Sequence, residues 1–231
     1  MSLLCPAATP TPAALPRRER RKEARPGELL SAALDLFVEK GYAATRVEEV
    51  AQRAGVSKGT LFLYFASKEE LFKAVVRENI SGRYPEWRVE VDSFRGHSAD
   101  LLRHAMLAWW THIGSTQASG ISKLIMSEAS NFPELARFYR DEVVDPGNEL
   151  IRRILQRGVD RGEFRIADMG HTVYTVLAPM LFMALWKHSL GQAGVCGSTL
   201  NANDFMTTQI DTLLHGLCLP AAPSTPTTTG P

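Results

Sequence analysis

The twenty residues "TRVEEVAQRAGVSKGTLFLY", Thr45 to Tyr64, leave little freedom in how they fold. Gly55 separates two short helix-sized stretches. Glycine carries no Cβ penalty at positive φ, so it suits a sharp corner. Ala51 is small enough to let two helices approach closely. Val50, Ala54, Val56 and Leu61 are apolar where two short helices meeting at a steep angle must touch. Six positions that agree in this way specify a helix-turn-helix. The "GVSKG" inside the stretch has the outline of a nucleophile turn, but it follows a helix rather than a strand.

The flanking residues supply a frame for that corner. A first helix is predicted from Pro26, suited to a first turn, to Lys40, with Gly41 as its stop. Leu30, Ala33, Leu34 and Phe37 share one face of it. The second helix is predicted to start at Thr45, with Glu48 three residues on completing a capping box. The third runs from about Lys58 to Phe65 behind Ser57. The fourth opens on a second capping box, Ser67 to Glu70, and carries Leu71, Phe72, Val75 and Val76 inward. An isolated helix of two turns is marginal in water, so the third must be held by its neighbours and displayed to a partner.

A helix anchored through Val56 and Leu61 leaves its N-terminal residues free to enter a major groove. Lys58 suits a phosphate or a guanine edge, Gly59 permits close backbone approach, and Thr60 suits a phosphate or a thymine methyl. Tyr64 and Lys68 are predicted to clamp the phosphate backbone. The charge distribution agrees. Residues 1–80 hold 13 Lys or Arg against 10 Asp or Glu, whereas the rest hold 13 against 15, in a chain of formal charge +1. "RRERRKEAR" (17–25) has six basic and two acidic residues; it reads either as an arm along phosphates or a minor groove, or as the first turns of an extended first helix.

With these residues in place, the stretch "LLSAALDLFVEKGYAATRVEEVAQRAGVSKGTLFLYFASKEELFKAVV" (29–76) resembles the DNA-binding domain of the TetR family of transcriptional regulators. The likeness rests on "FVEKGY", "TRVEEVA", "AGVSKGTL", "YF" and "SKEEL". Beyond it, "NFPELARFY" and "RGVDRGEFR" are similar to stretches in one branch of the family. The resemblance implies DNA-facing roles for Thr45, Arg46, Lys58, Gly59, Thr60, Phe62, Leu63, Tyr64 and Lys68. Where the family often has aromatic or polar groups, Phe62 and Leu63 offer apolar contacts, so base readout is expected to lean on Lys58, Thr60 and duplex shape.

The implied architecture is all-α: an N-terminal three-helix helix-turn-helix domain (26–80) behind a disordered basic arm (1–25), a C-terminal helical ligand-binding and dimerisation domain (81–219), and a disordered tail (220–231). Its partners would be double-stranded DNA at a palindromic operator, a second copy of the chain, and a small-molecule effector. Later helices are longer and more apolar. One is marked by Leu101, Leu102, Ala105, Met106, Trp109 and Ile113; another by Leu150, Ile151, Ile154, Leu155 and Val159, stopped by Gly162. A helix over 168–190, bent at Pro179, and a last one over 204–217 are apolar enough for a subunit face, with a loop at 191–203 between them.

The aromatic and soft side chains of this half, Met106, Trp109, Trp110, Met126, Phe138, Tyr139, Tyr174 and Met183, with Met180, Phe182 and Trp186, read as an adaptable apolar cavity or as plain core. His112, His171 and His188 offer such a cavity a polar contact or are otherwise satisfied. His97 and His104 lie near one face without a third ligand at metal spacing.

Cys5, Cys196 and Cys218 have no CxxC spacing, which favours a reduced, cytoplasmic protein without disulfide or metal. The first sixteen residues lack the basic start and long apolar core of a secretory signal. The longest apolar run, Val173–Trp186, is predicted to be too short for a bilayer. No HExxH, GxSxG or phosphate loop points to an enzyme, and no cofactor is expected. A dimeric DNA-binding protein with no ligand remains the alternative to a ligand-released repressor.

Overall fold

The computed structural model describes residues 17–191 and 200–218. Within them the elements are α1 (Arg17–Ala44), α2 (Val47–Arg53), α3 (Lys58–Phe62), α4 (Lys68–Asn79), α5 (Tyr84–Ser93), α6 (Ser98–Trp109), α7 (Gly120–Glu128), α8 (Pro133–Tyr139), α9 (Asp145–Asp160), α10 (Met169–Lys187) and α11 (Ala202–Leu217). The described residues contain no strand; a lone antiparallel bridge pairs Phe164 with Cys218. The predicted disorder at 1–16 and 220–231, and most of the predicted loop after Gly191, lie outside the described residues.

Helix α1 begins at Arg17 and passes through Pro26, so residues 17–25 form its first turns. Gly41, at φ +82°, breaks the regular helix where the sequence placed its stop. The N-terminal core forms where Leu29, Ala33 and Phe37 of α1 meet Val50 and Ala51 of α2, Leu61 of α3, and Leu71, Phe72 and Val75 of α4. Phe37 and Phe72 pack edge to face, with ring centroids 5.3 Å apart. Burying such large side chains contributes roughly 1.5–3 kcal/mol each, which is how a five-residue α3 persists.

Helix α2 starts two residues later than the sequence predicted, because Thr45 does not cap it. Its hydroxyl instead donates to Gly41 O (2.7 Å) and Leu36 O (3.1 Å), closing the end of α1. Arg46 is the N-cap of α2, and its N–H donates to Glu49 Oε2. Ser57 and Ser67 cap the next two helices: Ser57 Oγ accepts from Thr60 N, and Ser67 Oγ accepts from Glu70 N, both at 3.1 Å, while Glu70 Oε1 meets Lys73 rather than completing the predicted box.

The C-terminal helices share a second core region built on Leu101, Leu102, Ile121, Ile154, Leu155, Val176, Met206 and Ile210. Val159, predicted inward, is exposed on the rim of α9. Two five-residue π-helical turns, Trp110–Gly114 after α6 and Arg140–Val144 after α8, interrupt the regular pitch. By length and composition α10 is long and apolar enough to cross a membrane, which the shorter run read from the sequence was not. It packs on α7, α9 and α11.

Helix α1 packs on α7 and α4 on α8, and polar and aromatic contacts add to this packing between the two halves. Tyr42 meets Phe132 edge to face at 4.8 Å. Ala43 N–H donates to Glu128 Oε1 at 3.2 Å. On the far side, Arg77 of α4 grips Glu142 in the π turn through Nε (2.9 Å to Oε2) and Nη2.

Candidate nucleic-acid interface and ligand cavity

The corner between α2 and α3 depends on Gly55, at φ +67°. A Cβ there would meet nothing within 4 Å, so glycine is required for its backbone, not for space. Beyond the corner, Lys58 stands exposed at the first position of α3. Its ammonium lies 2.5 Å from the Glu48 carboxylate and 5.8 Å from the Phe62 ring centroid. The Lys58 hydrogen bond is the main reason that the Glu48 carboxyl sits below its ordinary range.

Gly59 opens outward; a Cβ there would meet only Ser57 Oγ, at 3.8 Å. Thr60 shares its hydroxyl with Ser57 at 2.9 Å. Phe62 is 41% exposed and Leu63 83%. Arg46 is exposed at the head of α2. Of these six positions five are exposed and Thr60 is half-buried.

Two of the expected DNA-facing residues, Thr45 and Lys68, are placed differently, while Tyr64 is half-buried, as Thr60 is. Thr45 is 1% exposed and spends its hydroxyl on α1. Tyr64 is partly buried against the core. Lys68 does not reach outward. Its ammonium donates to the carbonyls of Tyr42 (2.9 Å), Thr45 (3.1 Å) and Ala43 (3.2 Å) and lies over the Tyr42 ring at 4.5 Å. An ammonium has three donors, and here all three are engaged within the chain. Burial lowers its pKa. Lys68 is thus the cap of the α1–α2 junction, a role that its place after a serine N-cap does not reveal.

In the other half, two adjoining cavities lie between α5, α6, α7, α9 and α10. One, of about 280 Å³, is open to the surface beside the exposed Met126 and Tyr174, and the other is about 70 Å³. Tyr84, Trp109, Gly147, Leu177 and Met180 line both. Of the predicted lining, Trp109, Met126, Tyr139, Tyr174 and Met180 are present. Met106 and Met183 are buried in solid core instead, and Trp110 turns its Nε1–H to Asn203 Oδ1 at 2.9 Å. Phe138 lies under Lys73 and Arg77 at the domain junction. Sequence reading missed Tyr84, Ser122, Asn148 and Leu177, which carried no signal beyond their helices' inward phase.

The histidines are spent elsewhere. His188 is 4% exposed with Nε2 2.8 Å from Ser119 Oγ, and burial pushes its pKa down to about 4. His112 and His171 are exposed. His104 pairs with Glu90 at 2.7 Å on the rim of the smaller cavity. Among the described residues no cluster of three or more metal-ligating side chains forms, and Cys218 is a free thiol.

Comparison with known proteins places this arrangement. The family model for bacterial regulatory proteins of the tetR family matches residues 29–75, and that for the tetracyclin repressor-like C-terminal domain matches 96–196. The transcriptional repressor KstR2 of Mycobacterium tuberculosis is 30% identical over 145 residues, spanning 61% of this chain and 70% of that protein. The chain belongs to the TetR family of transcriptional regulators. The transcriptional activator FasR of Mycolicibacterium smegmatis is 48% identical over 66 residues, a match confined to 28% of that protein. The solved structure of KstR2, a ketosteroid transcriptional regulator, aligns with TM-score 0.63 at 24% identity, covering 85% of this chain and 96% of that one. FadR of Bacillus subtilis in complex with stearoyl-CoA aligns with TM-score 0.64 at 16% identity, covering 82% and 98%. In this TetR-family chain the fold is the all-α one expected from the sequence, a helix-turn-helix domain followed by a helical domain.

Proposed function

We propose that the protein is a homodimeric, cytoplasmic repressor that holds a palindromic operator through Arg46 and the Lys58–Leu63 segment and leaves it when a small apolar molecule enters the cavity. The reading head comprises residues 26–80 and the effector and dimer domain residues 81–219. The observation that carries this reading is the outward face of α3 in a chain whose other half holds an apolar cavity, with α4 joined to both. Two-fold symmetry would set two reading helices ~34–36 Å apart, one duplex turn.

The α10 face offers the symmetric contact. Tyr174, Ala178 and Phe182 repeat at four-residue spacing, with Tyr174 60% and Phe182 46% exposed. A ligand shifts DNA occupancy only if it favours one spacing of the heads over the other. The Arg77–Glu142 pair connects such a change to α4, because Val143 and Val144 beside Glu142 line the larger cavity.

That KstR2 is named a repressor and FasR an activator makes the sign of regulation a point for experiment. Selection of bound fragments from the source genome, followed by gel shift with and without cavity ligands, tests the whole reading. The expected result is a palindromic site from which ligand releases the protein. No selected fragment, or DNA binding by a monomer, would overturn it. The cavity weighs against a ligand-independent regulator, and the regulator family weighs against an enzyme.

A further inference from the structure

The walls of the cavity define what they accept. We infer that the effector is an uncharged, elongated, mostly hydrocarbon molecule bearing one carbonyl or hydroxyl, which docks on the paired hydroxyls of Ser122 and Tyr139. The inference rests on the proposed role of this cavity and adds the chemical class of its ligand.

Charge decides the first half. Among the described residues, neither cavity is lined by a Lys or Arg. The acidic group on the wall, Glu90, is already matched by His104 at 2.7 Å. A carboxylate or phosphate entering this space would lose its hydration with no cation to replace it, and a buried unpaired charge is strongly disfavoured. Most of the remaining lining is aliphatic or aromatic: Ile113, Ile125, Leu177, Met180 and Trp109 among it. The two cavities adjoin along shared walls, so a molecule that filled both would be long rather than round.

Hydrogen-bond inventory decides the second half. Ser122 Oγ and Tyr139 Oη lie 3.1 Å apart and both are buried. Two hydroxyls bring two protons. One proton makes the bond between them, and among the described residues the other has no acceptor. Tyr84 differs, since its hydroxyl already donates to Val143 O at 3.0 Å. Asn148 lines the same cavity but is partly exposed, so water serves it, and Tyr174, exposed in the single chain, lies on the α10 face proposed as the subunit contact. The Ser122–Tyr139 pair is therefore the buried polar group that a ligand oxygen would complete. A ligand carbonyl would accept the spare proton; a ligand hydroxyl could also donate to the pair's remaining lone pairs.

The test is a titration of the full-length protein at pH 8, followed by the fluorescence of Trp87 and Trp109 in the cavity wall and by calorimetry. The probes are 2-tridecanone, tridecane, dodecanoate and dodecanoyl-coenzyme A. The ketone should bind best. Tridecane should bind about five- to tenfold more weakly, as expected for one lost hydrogen bond, and dodecanoate more weakly still.

Ser122→Ala and Tyr139→Phe should bring the ketone to the level of tridecane while leaving tridecane itself unchanged. Leu177→Trp, which fills the shared wall, should abolish binding of both, with an unchanged helical spectrum as the folding control. Tighter binding of dodecanoate or its coenzyme A thioester than of the ketone would overturn the inference. So would equal ketone affinity in the hydroxyl variants, or no binding by any probe. Gel shift on genomic fragments is read separately: a chain that binds no DNA but ranks the probes as stated fails as a regulator and not as a receptor for this ligand class.

Discussion

Lys58 has two competing partners, the Glu48 carboxylate of its own chain and a phosphate or guanine of the duplex. The Glu48 contact at 2.5 Å means that part of any DNA contact is spent on separating the pair. Exposed pairs of this kind are weak, so the competition is a modest one. Glu48→Gln is expected to tighten DNA binding about two- to fivefold, measured by fluorescence anisotropy; weaker binding would show that Glu48 itself reads the site. Lys68→Met should act differently. It strands three carbonyls at the α1–α2 junction, and charged hydrogen bonds contribute about 1.5–3 kcal/mol each, so thermal stability should fall while the outward face stays intact. His188 gives a pH signature. Its pKa is pushed down from 6.5 to about 4 by burial, so between those values the unfolded chain holds the proton and the folded chain does not. The stability it contributes is complete above pH 6.5 and is lost as pH falls toward 4. His188→Gln should flatten the melting temperature over that window in scanning calorimetry.

The short helices show what an element needs beyond its own sequence. Helix α3 exists because Ser57 caps it, Leu61 anchors it and Gly55 turns the chain into it. Gly55→Ala faces no steric neighbour, so its cost is the left-handed backbone alone, about 1–2 kcal/mol, readable in urea unfolding. The helix-turn-helix was legible in the sequence because its cues are local: one glycine, two serine caps and a handful of apolar positions. The start of α2 was not, because Thr45 found better acceptors on α1 across the corner, a contact between residues nine apart. Helix α7 starts at Gly120, a weak helix former that sits where a Cβ would fall 2.6 Å from Val38 of α1. Met106 and Met183 were expected at the cavity and lie in the core instead, because an inward phase on a helix looks the same whether the residue meets solid core or a cavity. Tertiary packing, not propensity, decided each of these places.

At the scale of the whole molecule, the account joins an exposed reading helix to a cavity through α4 and the Arg77–Glu142 pair. Arg77→Ala should leave DNA affinity and probe affinity each within about threefold, while the loss of DNA affinity on adding ligand shrinks; full release in the variant would place the coupling elsewhere. Phe182→Glu, on the apolar α10 face, should yield a monomer by sedimentation that no longer protects an operator. The most direct measurement is footprinting of a genomically selected fragment by the native chain and by Lys58→Ala, with folding verified by circular dichroism. The account predicts two protected half-sites centred one duplex turn apart for the native chain, and loss of both on replacing Lys58. A single protected patch, or a footprint unchanged by the substitution, would contradict it.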